Sequence, residues 1–287
     1  MTTISGTRYR IASEVARQTR LTEALTRENT AISTGKRIQV PSDDVVASAR
    51  ISQLARAKAD QTTWIGNADA MAAQATQVDD ALDFTQTQID RARDLMLQGG
   101  NATLNASDRK ALAIELRGIV EDLNATMART DSRGQPLFPE GEPLQVPISA
   151  DVRVAAAISR DTVFAGVETT DGPKSLADII TAAAAALEEP DPTLRQTATT
   201  AAIADLGASV SHLAAARADQ GVRAARIDAV REQLVTVGTR QTEERSGLED
   251  TDVAEALAKV SAMKLSLDAA QAVFSKINKG TLFDLLG

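Results

Sequence analysis

Few side chains in this chain of 287 residues could carry out chemistry. His212 is its one histidine, and it has no cysteine. Nucleophilic catalysis and transition-metal binding usually need a cluster of such groups, whereas a single histidine on a helix is usually an ordinary packed residue. The sequence therefore predicts a protein that is not an enzyme and that has no catalytic site, cofactor or metal.

One pair of adjacent acids lies in a short loop, Pro41-Ser42-Asp43-Asp44. Two carboxylates can bind a cation or act as paired acids, but no third ligand lies nearby in the sequence. Hydroxyl and carboxylate side chains just before a helix accept hydrogen bonds from its first amides and favour its dipole. We therefore predict that Ser42 or Asp43 caps the helix that follows.

The composition argues against several classes of protein. Aromatic residues make up only 2% of the chain against 43% hydrophobic residues, which favours thin helical bundles over a thick globular core. The net charge of −8 argues against nucleic acid or an anionic membrane as the main partner. Because neither an apolar run of about 18 residues nor an apolar signal-peptide core occurs, we predict no membrane insertion and no cleaved signal peptide.

The strongest pattern in the sequence lies near the C-terminal end. Eight residues alternate at steps of three and four, as the apolar positions of a coiled-coil helix do. A single helix cannot bury such a face, so it needs a partner helix, and Gly280 is expected to end it. We call these residues the C-terminal seam: Val253, Ala256, Val260, Met263, Leu267, Ala270, Phe274 and Ile277.

The expected partner is a helix predicted over residues 7–34. Its apolar residues lie on a grid of alternating four- and three-residue steps, and the remaining positions of that grid are polar. This helix face therefore packs weakly alone, and its polar positions set the register against a partner helix. Gly35 is expected to end the helix, and Arg37 lies in the loop after it. We call its apolar residues the N-terminal seam: Ile11, Val15, Leu25 and Ile32.

Long helical patterns between the two ends flank a region rich in proline. In residues 136–173 apolar residues alternate with polar ones, and 162–164 are β-prone, so we predict a small β-rich segment. Ser175 and Asp178 form a capping box that opens a short helix, and Gly247 is expected to break the last long helix. The predicted central helices cover 45–98, about 107–127, 176–187 and 193–245.

The predicted fold class is therefore mainly α. The N- and C-terminal halves of the chain form a long antiparallel helical bundle or coiled coil, with a small β-rich insertion at its tip. The predicted parts are the two halves of a terminal coiled coil, the two halves of a helical core, and the insertion. Their boundaries are 1–41 and 249–287, 42–135 and 175–248, and 136–174.

The order and spacing of several motifs resemble the bacterial flagellin superfamily over nearly the whole chain. Residues 32–38 (Ile-Ser-Thr-Gly-Lys-Arg-Ile) followed by Ser-Asp-Asp are similar to a stretch that its members share, and 246–252 are similar to the segment before their last helix. The loop at 41–44 and the ending at 282–286 are most similar to the branch that joins hook and filament. The residues of the first stretch that we call the motif loop are Gly35, Arg37, Pro41, Ser42, Asp43 and Asp44.

The resemblance implies a structural subunit that joins the flagellar hook to the filament. It implies self-assembly into a ring, contacts with flagellin and the adjoining hook-associated protein, and an export chaperone before secretion. It also implies export by the flagellar type III system to an extracellular place in the flagellum. The alternatives are a short filament flagellin and, in another class, a secreted surface-binding module that uses the insertion at 136–173.

The resemblance further indicates a recognition patch at Arg91, Leu95 and Glu115, with Arg93 nearby. The matching surface of flagellins is bound by an innate immune receptor. The other interpretation of these charges is a network of ion pairs that faces solvent or a neighbouring subunit, and exposed pairs of this kind contribute little to stability.

Overall fold

The computed structural model describes the backbone of residues 2–101 and 103–283, and the side chains of residues 9, 11–101 and 103–276. The mainly α prediction is confirmed, because long helices dominate the described chain. None of these helices is long and apolar enough to cross a membrane. In order, the helices are α1 (Thr2–Thr34), α2 (Val45–Gly99), α3 (Ala106–Met127), α4 (Arg160–Phe164), α5 (Leu176–Glu188), α6 (Pro192–Glu249) and α7 (Val253–Phe283).

Two glycines that were expected to interrupt helices do not. Gly247 lies inside α6, which continues to Glu249, and Gly280 lies inside α7. A glycine ends a helix when its backbone turns into the left-handed region, and Gly247 does not have a positive φ. A right-handed glycine in a helix interior costs only about 1 kcal/mol relative to alanine, which the flanking helical residues offset.

The insertion contains less β structure than predicted. Its four strands form two antiparallel hairpins: β1 (Val146–Pro147) with β2 (Arg153–Val154), and β3 (Val167–Thr169) with β4 (Gly172–Lys174). Residues 162–164, predicted to be β-prone, belong to α4 instead. The Ser159 side chain accepts a hydrogen bond from the Thr162 amide and starts this helical turn, which buries Val163 and Phe164.

The chain divides into two compact units, and the long helices α2 and α6 each contribute residues to both. Unit 1 comprises Met1–Lys58 and Thr239–Gly287, and unit 2 comprises Ala59–Gly238. The predicted boundaries at 41/42 and 248/249 both fall inside unit 1. The division into terminal domain, core and insertion therefore stays a prediction.

Unit 2 contains the main apolar core. Helices α2, α3, α5 and α6 contribute to one cluster, in which α3 packs against α5 and the Phe138 and Phe164 rings meet edge to face with centroids 5.1 Å apart. A second cluster anchors the β1–β2 hairpin through Ile148 and Val154, which pack with Met71 and Ile227. The largest fully buried side chains include Phe138, Leu82, Ile89, Met96, Leu116, Leu123, Ile180 and Leu187.

Two polar contacts attach the end of the insertion to the helices of unit 2. The capping box is confirmed, since Ser175 Oγ accepts from the Asp178 amide at 3.1 Å and donates to the Asp178 carboxylate at 2.7 Å. Next to it, Lys174 Nζ lies 2.9 Å from a carboxylate oxygen of the buried Asp205 on α6 and 3.2 Å from one of Asp171. The β3–β4 hairpin is thereby held against α6.

Gly99 provides a test of how tightly this core is packed. A Cβ at Gly99 would lie 2.4 Å from a methyl carbon of the buried Leu187, whereas a Cβ at Gly66 on the same helix meets nothing within 4 Å. We predict that Gly99→Ala lowers the stability of the protein by about 1–3 kcal/mol through overpacking. Gly66→Ala should raise it slightly through helix propensity. Thermal melting of both variants checks this, and an equal effect of the two changes would contradict the packing described for Leu187.

Candidate functional site

The C-terminal seam faces the N-terminal helix within one chain. Helix α7 packs against α1 in unit 1, so the predicted pairing of the two chain ends is present. Between residues 254 and 276 the residues that are not exposed are all members of the seam, with Ala256 and Ala270 only 3% and 2% exposed. Val253, at the helix start, is 46% exposed, and the side chain of Ile277 lies outside the described residues.

The N-terminal seam was predicted with one position wrong. Ile11, Leu25 and Ile32 are half-buried, but Val15 is 49% exposed. The inner face of α1 steps by three and then four from Ile11, so it includes Leu21 and excludes Val15. A grid that starts from Ile11 with a step of four and a grid that starts with a step of three coincide at every second position. Because Val15 is apolar and lies on the first of these grids, the sequence favoured that grid, whereas the structure follows the second. Leu21 is the residue that could have decided between them.

These two positions give a direct test of the pairing. We predict that Leu21→Asp separates α1 from α7, because it places a charge on the face that packs against α7. Val15→Asp should leave the pairing intact, because that side chain already lies in solvent. Hydrogen exchange of the α7 amides measures the difference. Equal protection of α7 in the two variants would show that the inner face is misassigned.

The motif loop joins the end of α1 to the joint between α6 and α7. Gly35 ends α1 with a φ of 72°, which glycine adopts without strain. Its carbonyl oxygen accepts from the Thr251 amide at 2.9 Å, and the Arg37 amide donates to the Glu249 carbonyl at 2.8 Å. These bonds flank an antiparallel bridge between Lys36 and Asp250, so the two ends of the chain are connected by backbone as well as by the seam.

The helix cap in this loop is Asp44, and the prediction of Ser42 or Asp43 was wrong. Because α2 begins at Val45, the residue directly before it occupies the capping position, and Asp44 Oδ1 accepts from the Ala47 amide at 2.9 Å. The Asp43 carboxylate closes the loop instead, by accepting from the Gln39 and Val40 amides at 2.9 and 3.0 Å. The bonds from Val40 and Gln39 hold the pKa of Asp43 below its usual value.

The side chains of the motif loop reinforce the same joint. The Arg37 guanidinium donates to the Leu248 carbonyl at 2.9 Å and lies 3.7 Å from an Asp44 carboxylate oxygen. Glu249 pairs with Arg245 at 2.7 Å and also contacts the Lys36 ammonium. The hydrogen bond from Arg245, followed by the one from Lys36, holds the pKa of Glu249 below its usual value.

The lowered pKa of Glu249 predicts a dependence of the joint on pH. A carboxyl whose folded pKa is depressed adds stability above its unfolded pKa and loses it as pH falls through the folded value. Protection of the Arg37 and Thr251 amides, corrected for intrinsic exchange, should therefore fall on acidification below about 4.5, the ordinary pKa of a glutamate. Glu249→Gln should lower that protection already at neutral pH and make the acid response smaller. An unchanged acid response in the variant would contradict this role.

A groove of about 670 Å³ lies between α1, the motif loop and the start of α7 in unit 1. Three of the acids that line it have partners: Asp43 accepts from loop amides, Asp252 accepts from the Ala254 and Glu255 amides at the start of α7, and Glu255 pairs with Lys259 at 2.8 Å. Groups that are engaged in this way hold the backbone and do not converge on a reactant. The groove therefore supports a structural role better than a catalytic one.

The proposed recognition patch is only partly assembled. Arg91 and Glu115 are brought together across α2 and α3 at 3.0 Å, and Arg93 is exposed nearby. Leu95 does not belong to this surface, because it is 6% exposed and lies in the main core of unit 2. Leu95 lies four residues after Arg91, which is slightly more than one helical turn. The additional rotation places its side chain on the side of α2 that faces the core.

His212 has no arrangement around it that would support catalysis. It lies half-buried on α6, and its Nε2 atom is buried without a hydrogen-bond partner. Within residues 2–101 and 103–283, no group of three or more histidines and carboxylates is placed to hold a metal ion. The geometry therefore leaves the paired terminal helices and the motif loop as the candidate functional site.

Comparison with known proteins agrees with this emphasis on the chain ends. Residues 9–141 match the bacterial flagellin N-terminal helical region, and residues 203–286 match the bacterial flagellin C-terminal helical region. The two matched regions together span most of the chain. The chain belongs to the bacterial flagellin family. The family regions include α1 from residue 9 onward and all of α7, the helices whose pairing defines the candidate site.

The relatives of this chain include flagellar hook-associated and junction proteins. Flagellar hook-associated protein 3 of Salmonella typhimurium is 34% identical over 108 residues, which is 37% of this chain and 34% of that protein. The aligned part thus spans about a third of the relative's length. Among solved structures, FlgL of Xanthomonas campestris has a TM-score of 0.60 at 17% identity, covering 67% of this chain and 99% of that one. The flagellar junction protein FlgL of Legionella pneumophila has a TM-score of 0.57 at 13% identity, covering 70% and 100%.

Proposed function

We propose that this protein is a structural subunit of the bacterial flagellum that joins the hook to the filament. The observation that carries the proposal is that each paired terminal helix has an exposed uncharged stripe in addition to the face that it uses inside the chain. This stripe lies opposite the inner face in α7 and to one side of the inner face in α1. A helix with a second uncharged stripe can pack against another helix at a low cost of desolvation. Membership of the flagellin family, and relatives named as hook-associated and junction proteins, support the same role.

The outer stripe of α7 consists of small apolar residues and one leucine. These residues recur at steps of three and four, and a rotation of about 100° per residue places them on the side of α7 opposite the C-terminal seam. All are exposed, and Leu265 is 72% exposed. The outer stripe of α7 comprises Ala254, Ala258, Ala262, Leu265, Ala269 and Ala272.

The outer stripe of α1 combines alanine, valine and threonine. Its threonine hydroxyls donate to the carbonyl four residues earlier at 2.9–3.0 Å, so their one donor is already used within the helix. What these side chains offer to a neighbour is a methyl group and an acceptor oxygen. The outer stripe of α1 comprises Ala12, Val15, Thr19, Thr22, Thr26 and Thr30, all of which are exposed.

These stripes fit other copies of this chain and related subunits as partners. In the proposed role, copies assemble into a ring whose neighbours are the adjoining hook-associated protein on one side and flagellin on the other. The chain is exported through the flagellar type III system without a cleaved signal, is held by an export chaperone beforehand, and functions outside the cell. Its role is mechanical and involves no catalysis.

The alternatives have less support. A short filament flagellin would have the same family regions, but the relatives named above are a hook-associated protein and junction proteins. A surface-binding module would need a binding face on the insertion. Its two phenylalanines, Phe138 and Phe164, are buried against each other and so cannot stack on a sugar.

We predict that Leu265→Asp blocks assembly without destabilising the free chain. The side chain is exposed in the monomer, so the melting temperature should change little, whereas a charge buried against a neighbouring subunit is costly. The matched control is Lys264→Asp. Lys264 is the preceding residue and belongs neither to the C-terminal seam nor to the outer stripe of α7. In a strain that lacks the chromosomal gene, the control should restore motility and Leu265→Asp should not. A motile Leu265→Asp strain would contradict the assembly role of the stripe.

The same strain separates the junction role from that of a filament flagellin. Without the gene, cells should carry hooks without filaments and should shed flagellin into the medium. Intact filaments in the deletion strain would contradict the junction role.

A further inference from the structure

Two buried glutamines interrupt the apolar seam between α2 and α6 in unit 2. Gln61 on α2 is 2% exposed, and its Nε2 donates to the Leu234 carbonyl on α6. Gln220 on α6 is 1% exposed, and its Nε2 donates to the Ala75 carbonyl on α2 at 3.3 Å and to the Ala156 carbonyl at 2.8 Å. Each helix thus contributes one amide that reaches the main chain of the other.

The Gln61 amide packs directly against the backbone of a glycine on α6. A Cβ at Gly238 would lie 2.0 Å from Gln61 Nε2 and 2.7 Å from its Cδ, closer than any real contact. Glycine is unfavourable in a helix interior, so this fit costs helix stability. Gly207 and Gly221 on the same helix meet nothing within 4 Å, so the close approach at Gly238 is a local match between two residues.

Both glutamines also carry an energetic cost of their own. The Oε1 atoms of Gln61 and Gln220 are buried and have no hydrogen-bond partner. A leucine at either position would leave no polar atom unpaired. Polar residues in a coiled-coil seam are retained at such a cost because they give specificity. They allow one pairing and one register, whereas leucines would allow several.

We propose that the Gln61–Gly238 and Gln220 layers determine the register of α2 on α6. A shift of one heptad would place Arg231 or Arg245 where Gly238 now receives Gln61. Pairing with a helix from another copy at any other register would likewise leave the glutamine amide against a side chain. The chain therefore excludes slipped pairings, within one chain or between copies, by a mismatch in shape and hydrogen bonding, and it does so whether or not it assembles with other subunits.

The local match is tested by a stability cycle. Gly238→Ala should lower the melting temperature, whereas the matched change Gly221→Ala should raise it or leave it unchanged. Gln61→Ala combined with Gly238→Ala should melt above Gly238→Ala alone, because the clash is gone. Equal effects of the two glycine substitutions would overturn the match on which the proposal depends.

Specificity is tested separately, by trapping the register with cysteines, since the natural chain has none. Asp69 and Arg231 form an ion pair at 2.6 Å, so Asp69→Cys with Arg231→Cys reports the native register through a short bis-maleimide. Thr62→Cys with Arg231→Cys reports α2 shifted by one heptad. With Gln61 and Gly238 in place, the native crosslink should exceed the shifted one by about tenfold or more, the ratio that corresponds to about 1.4 kcal/mol.

The decisive background replaces both layers with apolar residues that fit the space: Gln61→Ala, Gly238→Ala and Gln220→Leu. The proposal predicts a melting temperature at or above that of the natural chain, together with crosslinks in the shifted register. If this variant does not fold, Gln61→Ala with Gly238→Ala takes its place in the same assay. A variant that melts cooperatively and still gives only the native, intramolecular crosslink would overturn the proposal, because packing alone would then set the register.

Discussion

The unit built from the chain ends depends on one constraint: neither terminal helix can bury its apolar face alone. The C-terminal seam of α7 has its least exposed residues against α1, and the backbone bonds around Gly35 and Thr251 fix that pairing at one end. The inner face of α1 is partly polar, so most of the apolar side chains in the contact between the two helices come from α7. Both ends of the chain must therefore be present before either is stable.

That constraint also explains how one chain can serve as a building block. Because the inner faces are used within the chain, the exposed surface of each terminal helix includes an uncharged stripe of alanine with threonine and valine or with leucine. Such a surface is soluble enough for a free subunit, yet it has no charges to desolvate when another helix covers it. Helix pairing inside the chain and the proposed helix packing between chains thus use different faces of the same two helices.

The regular features of the fold could be predicted from sequence because they follow from periodicity. The C-terminal seam at 253–274 and the bounds of α2 follow from the spacing of apolar residues along the sequence, which the geometry of a single helix is enough to interpret. The motif loop was located, but Asp44 rather than Asp43 caps α2, because a cap depends on the residue at which the helix starts. The exposed position of Val15 and the fit of Gln61 to Gly238 depend on which faces meet, and only three-dimensional packing decides that.

The most direct test of this account measures the two faces of α7 separately. A single cysteine at Met263, on the seam, or at Leu265, on the outer stripe, can be followed by its rate of alkylation in a chain that otherwise lacks cysteine. In the free protein the account predicts slow reaction at 263 and fast reaction at 265. In purified flagella both positions should react slowly. Fast reaction at 265 in flagella would contradict the claim that the outer stripe packs against neighbouring subunits.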